Sequence, residues 1–438
     1  MKRSASGVFC LALAACAASK PSSPASASDE AASAPQPAKV EATPNASSKP
    51  SQTPSRIASQ IAGQNEQQSD PGTSEASQRA YAKAFKLHAA DCQAKDFIAC
   101  NDVGIDYQLG RGVTKDLPKA LGYYRVACDN EVAAACTNAG SVYDYGLGVT
   151  KSAKTAHDFY RRACDSGSAS GCNSLGMNYR DGISVNVDYG KALRSFERAC
   201  AIKGETTDAC ANLGHMYENG QGVAKNGAKA LAYYHRACDA GSLLGCNNAG
   251  IYYRDGLGVR VDHEKALRLF EKACSPDGEE GDGCANLGFS YERGLGVAKD
   301  GAKAVAHYKR ACDKGSAAGC YNLGVHFADG TFIERNEKEA ARLYAVACKD
   351  NFLSACVNLG LAHENGDGVT RDLPAAVRFF KQACGARKMT GCHHLGRLLA
   401  EGHGVTRDLG KARALFEQAC DGGEADACLE LGRLEAQR

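Results

Sequence analysis

The chain has 438 residues, of which 22 are Cys, 48 are Gly and none is Trp. Its 52 Lys and Arg nearly balance 50 Asp and Glu, and this net charge of +2 argues against a nucleic-acid partner, because nucleic-acid binders normally carry a clustered basic excess. So many cysteines also argue against a cytosolic enzyme without metal, because disulfides are rare in reducing compartments. The hydrophobic fraction of 44% is enough for a sizeable core.

The N-terminus has the pattern of an export signal. Lys2 and Arg3 precede an apolar run of about a dozen residues, shorter than the ~20 that a membrane-spanning helix needs. Residues 13–16, Leu-Ala-Ala-Cys, resemble the lipobox of bacterial lipoproteins, in which Cys16 is diacylated and becomes the new N-terminus. An ordinary secretory signal is the alternative. Ala17 in place of Asp is, by the same resemblance, typical of an outer-membrane lipoprotein facing the periplasm or the exterior; the alternative location is secreted.

The chain divides into three segments by composition. Residues 1–15 form the predicted lipoprotein signal peptide, and residues 16–78 form a tether that is rich in Ser, Ala and Pro and lacks Leu, Phe, Tyr and Trp. A stretch of this composition buries too little apolar area to offset its ordering entropy, so we predict a disordered tether. Residues 79–438 are predicted to form a folded array of repeats.

Twenty cysteines recur as pairs along this array. One pair follows another every 36 residues, or every 38 residues after the two pairs with the longer internal spacing. A fixed period in the thirties indicates a solenoid of helical repeats rather than two or three independent domains. The pairs are Cys92 with Cys100, Cys128 with Cys136, Cys164 with Cys172, Cys200 with Cys210, Cys238 with Cys246, Cys274 with Cys284, Cys312 with Cys320, Cys348 with Cys356, Cys384 with Cys392 and Cys420 with Cys428.

Each repeat carries the pattern of two helices, and we number its positions from the second cysteine of the pair. Positions 3, 4 and 7 hold Leu or Ala, Gly and Tyr on one face of a first helix, helix A. A Gly-x-Gly-Val loop follows, as at 110–113, and an Asp such as Asp116 is expected to cap a second helix, helix B. Because Gly is unfavourable inside a helix, the Gly at position 4 predicts a close approach to a neighbouring helix. Loops 182–185 and 330–333 depart from the pattern and are expected to bend the array locally.

The pattern resembles the Sel-1-like repeat (SLR) family. Asn286-Leu287-Gly288, the Tyr at position 7, Gly-x-Gly-Val, Asp, Lys-Ala, an aromatic pair and Ala-Cys carry the resemblance, which covers residues 79–438. The cysteine pair in each repeat is similar to the cysteine-rich secreted members. The resemblance implies an all-α fold, an α-solenoid of nine to ten helix-turn-helix repeats related to tetratricopeptide arrays, with helix A on the concave side.

Each cysteine pair is predicted to form a disulfide. Within one continuous helix, cysteines eight residues apart would have Cα atoms about 12 Å apart, whereas a disulfide needs roughly 4.4–6.8 Å. The intervening Asp-x-Gly segment, as at 239–241, supplies a turn that links helix B to the next helix A. A zinc site is the alternative, but the 11 His share no common spacing with the cysteines. We therefore expect one disulfide per repeat, no metal and no cofactor.

Asparagine recurs at position 2 of six repeats, and these are the predicted groove-binding residues: Asn138, Asn212, Asn248, Asn286, Asn322 and Asn358. An amide offers one acceptor and two donors, so this ladder could clamp an extended peptide backbone in the concave groove. Alternatively, each Asn bonds the backbone between repeats and is part of the framework. Positions 2, 6 and 9 are predicted to line the groove, and charged residues at position 9 are expected to tune specificity: Asp181, Asp255, Arg293 and Asp329.

The favoured function is an exported, lipid-anchored scaffold that binds a protein or peptide partner in its concave groove. Some cysteine-rich SLR proteins are described as penicillin-binding or as slow β-lactamases, so the resemblance also implies a slow β-lactamase or muropeptide-binding protein. The sequence holds no Ser-x-x-Lys and no Lys-Thr-Gly, so it nominates no catalytic residue. A third hypothesis is that the protein is a purely structural spacer. The ligand and the oligomeric state are left open.

Overall fold

The computed structural model describes residues 75–202, 208–276, 278 and 280–436. These residues form 20 α-helices and no strand, and the even-numbered helices are the A helices. The helices are α1 (Glu75–Gln93), α2 (Phe97–Leu109), α3 (Leu117–Asp129), α4 (Ala133–Tyr145), α5 (Ala153–Asp165), α6 (Ala169–Asp181), α7 (Tyr189–Ala201), α8 (Asp208–Asn219), α9 (Gly227–Asp239), α10 (Leu243–Asp255), α11 (His263–Ala273), α12 (Gly281–Arg293), α13 (Gly301–Asp313), α14 (Ala317–Asp329), α15 (Glu337–Lys349), α16 (Leu353–Asn365), α17 (Leu373–Gly385), α18 (Met389–Glu401), α19 (Leu409–Asp421) and α20 (Ala425–Ala436).

The helices pack in chain order, which confirms the predicted solenoid. Helix α10, for example, packs against α9 and α11 and also touches the neighbouring A helices α8 and α12. The array therefore consists of nine A–B pairs, with an extra B helix, α1, before them and an extra A helix, α20, after them. Helix α1 begins at Glu75 rather than at residue 79, so the predicted tether ends earlier. The predicted signal peptide and Cys16 lie outside the described residues.

Ten disulfides connect consecutive repeats, which confirms the predicted pairing. The bonds join Cys92 to Cys100, Cys128 to Cys136, Cys164 to Cys172, Cys200 to Cys210, Cys238 to Cys246, Cys274 to Cys284, Cys312 to Cys320, Cys348 to Cys356, Cys384 to Cys392 and Cys420 to Cys428. The paired Cα atoms lie 4.3 to 4.9 Å apart.

Each bridge fixes the turn between a B helix and the next A helix. In the bond between Cys238 and Cys246, the first cysteine lies in the last turn of α9 and the second in the first turns of α10. Every cysteine in the described part of the chain belongs to one of the ten bonds. That part of the chain therefore offers no free thiol.

The B helices have the predicted N-terminal caps. A side-chain oxygen of Asp116 accepts a hydrogen bond from the backbone N–H of Lys119, and Asp300 caps α13 in the same way. Such caps satisfy one of the backbone donors that a helix start leaves without a partner. Because the capping residue recurs at position 16, it fixes the start of each B helix in the sequence itself.

The two irregular loops keep the backbone conformation of the regular ones. In a regular loop Gly112 has φ +70°, a left-handed conformation that Gly adopts without strain. Ser184 and Phe332 occupy the same position with φ +63° and +66°. The local bend expected at 182–185 and 330–333 is therefore not visible in the backbone conformation of these loops, because non-glycine residues take up the left-handed geometry there.

The glycine at position 4 of helix A lies against an aromatic ring of helix B. A Cβ built on Gly250 would lie 2.5 Å from Cε1 of Phe270, closer than real Cβ contacts. This confirms the predicted close approach of the two helices. The same contact recurs between Gly104 and Tyr124, Gly140 and Tyr160, Gly176 and Phe196, Gly214 and Tyr234, Gly288 and Tyr308, Gly324 and Tyr344, Gly360 and Phe380, and Gly396 and Phe416.

Candidate functional site

The solvent-accessible surface of the A helices is formed chiefly by position 9. Most residues at this position are exposed: Tyr145, Asp181, Asn219, Asp255, Arg293, Asp329, Asn365 and Glu401. At position 5, by contrast, apolar side chains such as Met177, Phe289 and Leu361 are only partly exposed. We call the surface formed by positions 5 and 9 of successive A helices, together with the partly exposed residues at position 8, the A-helix surface. Its long, repeated form offers contacts to an extended ligand.

The predicted asparagine ladder is buried between repeats. The six side chains at position 2 range in exposure from 1% at Asn212, Asn286 and Asn322 to 7% at Asn248. Asn138 and Asn358 fall within this range, at 6% and 4%. Position 6 is also buried in most repeats. The structure therefore corrects the expectation that positions 2 and 6 are open to a ligand, since both face the neighbouring helices.

Three of these asparagines donate hydrogen bonds to a residue of another repeat. The Asn138 amide nitrogen donates to Oδ1 of Asn101 at 2.9 Å. Asn212 and Asn286 donate in the same way to position 1 of an earlier A helix: to Asn173 at 2.9 Å and to Asn247 at 2.8 Å. The framework role is thus favoured, although the bonds join side chains and not the backbone.

Two buried arginines complete this framework. Arg180 donates two hydrogen bonds to the Asp181 carboxylate, at 2.7 and 2.8 Å, and a third to Oδ1 of Asn212 at 3.0 Å. Arg254 repeats the arrangement with Asp255 at 2.7 and 2.8 Å and with Asn286 at 2.7 Å. We call this arrangement of Arg at position 8, Asp at position 9 and Asn at position 2 of the next repeat the arginine brace.

In several repeats the ring at position 24 interacts with the residue at position 8 of the same repeat. Where that ring is Tyr, its hydroxyl can donate to an oxygen at position 8: Tyr234 to Glu218 at 2.7 Å and Tyr308 to Glu292 at 2.8 Å. In the two brace repeats the ring is Phe, and Phe196 lies beside Arg180. Sequence reasoning missed these braces, although the recurring Arg-Asp pair at positions 8 and 9 was a usable signal.

Charge is divided between the two sets of helices. The ten A helices contain 15 Asp and Glu against five Lys and Arg. The nine B helices α3 to α19 contain 23 Lys and Arg against 12 Asp and Glu. A net charge near zero therefore conceals an acidic set of A helices and a basic set of B helices.

Some of the basic residues on the B helices form hydrogen bonds between neighbouring repeats. Nη2 of Arg162 donates to the carbonyl oxygen of Cys128 at 3.1 Å, and Arg198 contacts Cys164 in the same way at 2.8 Å. Each arginine thus binds the C-terminal end of the preceding B helix, where carbonyls have no partner within the helix and the helix dipole favours positive charge.

Several titratable groups on the A helices are affected by burial. Burial raises the pKa of the Asp144 carboxyl, and partial desolvation raises that of the exposed Asp329; neither carboxyl forms an ion pair with another described residue. Burial lowers the pKa of His215 to about 4 and that of His394 to about 3, so both imidazoles are neutral at pH 7. Within the described ranges, no group of three or more His, Cys, Asp or Glu side chains is placed to hold a metal ion. None of the described helices is long and apolar enough to cross a membrane.

The repeats match a known family along most of the array. The model of the Sel1 repeat matches nine segments, at residues 98–132, 133–168, 169–201, 207–242, 243–275, 281–316, 317–352, 353–386 and 390–424. The chain belongs to the Sel1 repeat family. No curated protein matches it significantly.

Solved structures of other Sel1 repeat proteins are similar to this chain. A Sel1 repeat protein from Oxalobacter formigenes is 24% identical, covers 72% of this chain and 90% of its own, and has a TM-score of 0.50, which supports the fold alone. The protective antigen c5321 of uropathogenic Escherichia coli, which displays an SLR fold, is 24% identical over 82% of this chain and 84% of its own, with a TM-score of 0.49. Cysteine-rich protein B of Helicobacter pylori is 33% identical over 30% of this chain and 93% of its own, with a TM-score of 0.25.

Replacing Asn286 by Ala is expected to destabilise this Sel1 repeat array. The change removes a hydrogen bond from the buried guanidinium of Arg254, which is only 7% exposed. Hydrogen bonds to charged groups contribute about 1.5–3 kcal/mol, so the melting temperature measured by circular dichroism should fall. The matched control is Asn365→Ala, because Asn365 is exposed at position 9 and its change should fall within about 0.5 kcal/mol of zero. Equal melting temperatures for both variants would contradict the framework role.

Proposed function

We propose that this protein is an exported scaffold that binds a polypeptide partner along its A-helix surface. Sel1 repeats, like other helical solenoids, offer long surfaces of this kind, and specificity resides in scattered side chains. The division of charge supports the proposal most strongly, because the A helices carry three times as many acidic as basic residues. On the A-helix surface itself six acidic side chains stand against three basic ones, and this acidic excess, together with partly exposed apolar side chains, suits a partner with positive charge and some apolar contacts.

The proposed location is the cell envelope. Ten disulfides suggest an exported protein, because disulfides persist in oxidising compartments. We further propose a lipid anchor on Cys16 and a position at the outer membrane; both rest on sequence outside the described residues. Slow β-lactam hydrolysis and a purely structural role stay as hypotheses from the sequence.

Changing Cys16 to Ser is expected to release the protein from membranes. Without the thiol no diacylglycerol can be attached, and the chains that hold the protein in the bilayer are lost. Fractionation of the producing cells, with labelled palmitate as a second readout, measures the change. A Cys16→Ser variant that still behaves as an integral lipoprotein would exclude Cys16 as the anchor.

Site-specific photocrosslinking in the producing cells tests the binding surface. A photoreactive residue at Asn219 or Asn365, both exposed at position 9 of A helices, is expected to give a discrete crosslinked polypeptide. Matched controls replace Gly122 and Ala306, which are exposed on B helices, and these should give no such product. Equal crosslinking from both sets of helices, or none from either, would contradict binding along the A-helix surface.

A further inference from the structure

One repeat retains two parts of the arginine brace but lacks its arginine. Ala328 stands at position 8, where the braces have Arg180 and Arg254. The following residue is still an aspartate, Asp329, and position 2 of the next repeat is still an asparagine, Asn358. Among the described repeats, this combination of both acceptor residues without the donor occurs only here.

The asparagine of this repeat lacks the hydrogen-bond partners that the asparagines of the two braces have. Asn358 is 4% exposed, and both its side-chain oxygen and its nitrogen lack a hydrogen-bond partner among the described residues. The Tyr344 hydroxyl interacts with Asn358 but makes no hydrogen bond of good geometry. A buried amide without partners is unusual in a folded protein.

Two substitutions explain why this amide is unsatisfied. The donor is missing because Ala328 stands in place of arginine. The acceptor at position 1 is missing because Tyr321 stands where the braces have Asn173 and Asn247. Oδ1 of Asn358 is therefore a buried acceptor without a donor in the described part of the chain.

The aspartate at this place is also without an ion pair. In the braces, Asp181 and Asp255 each accept two hydrogen bonds from a guanidinium. Asp329 is exposed and has no ion pair among the described residues, and the charged Arg335 lies beyond ion-pair distance. This repeat thus presents a carboxylate at the surface, together with the unsatisfied amide at the position that completes a brace.

Two other repeats have part of this combination, but neither has all of it. Asn322 also has an oxygen without a donor, but position 8 of the preceding repeat is Glu292, which accepts a hydrogen bond from Tyr308. Near the end of the array, Ala400 stands at position 8, but Glu401 beside it already contacts His403 at 2.9 Å. Neither place combines a free carboxylate with a buried, unsatisfied amide.

We infer that Asp329 and Asn358 form a binding site for an arginine side chain supplied by a partner polypeptide. A guanidinium would donate two parallel hydrogen bonds to the Asp329 carboxylate and a third to Oδ1 of Asn358, as Arg180 and Arg254 do within the chain. The planar guanidinium supplies this fork, whereas a lysine ammonium is a point charge that cannot match it. The inference rests on the proposed function and deepens it, because it names one side chain that the A-helix surface would select.

The test uses the full chain and a set of small probes. A short flexible peptide with one central arginine is compared with the same peptide carrying citrulline, whose urea group has the same shape without the charge. The free guanidinium compound agmatine distinguishes a small ligand from a polypeptide. Titrations followed by NMR of protein labelled on asparagine nitrogen read out the side-chain amide of Asn358 directly, and Asn358→Ala identifies its signal.

Binding of the arginine peptide is expected to be at least about tenfold tighter than binding of the citrulline peptide and of agmatine. Asp329→Asn should weaken it by a similar factor. Ala328→Arg should abolish it and raise the melting temperature, because the new side chain completes a third brace. Asp129→Asn is the matched control: it neutralises a carboxylate at the end of the B helix α3 that already accepts a hydrogen bond from Arg162, so it should leave peptide affinity unchanged.

The outcomes separate this inference from the proposed function. Equal binding of arginine and citrulline peptides, or affinity unchanged by Ala328→Arg, would overturn the site. If agmatine binds as tightly as the arginine peptide, the site takes a free small molecule, and the inference that a polypeptide supplies the guanidinium is overturned. Crosslinking along the A-helix surface with no response of Asn358 to the probes would retain the scaffold and reject this site alone.

Discussion

Full reduction of the ten disulfides is expected to leave the array largely unfolded at 25 °C. Most of the bridges join cysteines eight residues apart, and the chain-entropy estimate for such a loop is ~2.6 kcal/mol per bridge. Even if the tight turn reduces each contribution, the sum is comparable with the roughly 5–15 kcal/mol that typically stabilises a folded domain. Far-ultraviolet circular dichroism with and without a phosphine reductant measures the loss of helix.

Removing single bridges provides the control for reduction. Replacing Cys238 and Cys246 together by Ala removes a central bridge, and replacing Cys420 and Cys428 removes the last one. A solenoid sums the energies of neighbouring contacts, so the central change should lower the melting temperature more than the terminal one. A reduced protein that melts within a few degrees of the oxidised protein would show that the helix packing is sufficient without the bridges.

Gly250→Ala is expected to destabilise the array even though alanine favours helices. The added methyl group would lie 2.5 Å from Cε1 of Phe270, so the two helices or the ring must move. Overpacking of this kind costs about 1–3 kcal/mol, against a gain in helix propensity of up to ~1 kcal/mol. The melting temperature should therefore fall, and a second change, Phe270→Leu, should recover part of the loss by making room for the methyl group.

Gly122→Ala is the matched control for this substitution. Gly122 lies inside α3, and a Cβ built on it meets no atom within 4 Å. The same chemical change is thus expected to stabilise the protein by about 0.5–1 kcal/mol, because only the helix propensity and the entropy of the unfolded chain are affected. Opposite signs of the two shifts would confirm the close approach, whereas a stabilising Gly250→Ala would contradict it.

Much of the fold could be predicted because its signals are local. The cap at Asp116, the loop at 110–113 and the cysteine spacing all act within a dozen residues of chain, so they can be recognised without knowing which helices touch. The tight contact at position 4 could also be predicted, since a glycine recurring inside a helix needs a steric reason. The left-handed conformation within loops 182–185 and 330–333 could not be predicted, because such a φ is uncommon for residues like Ser184 and Phe332.

The candidate site was only partly predictable. Position 9 was expected to face a ligand and is exposed, whereas the asparagines of position 2 were assigned to the groove and are buried. Helical periodicity identifies the residues on one face of a helix, but it cannot tell whether water or the next repeat covers that face. The bond from Arg254 to Asn286 spans 32 residues and depends on the packing of successive A helices.

The sequence by itself determined the repeat, its two helices, the caps and the pairing of the cysteines, because each depends on residues close together in the chain. Only the tertiary structure decided which polar groups are satisfied, because hydrogen bonds between repeats join residues more than thirty positions apart. Arg180 and Arg254 complete their braces through such contacts, and Asp329 and Asn358 are left without an arginine. A near-neutral composition likewise concealed acidic A helices and basic B helices, since total charge carries no information about where each residue lies.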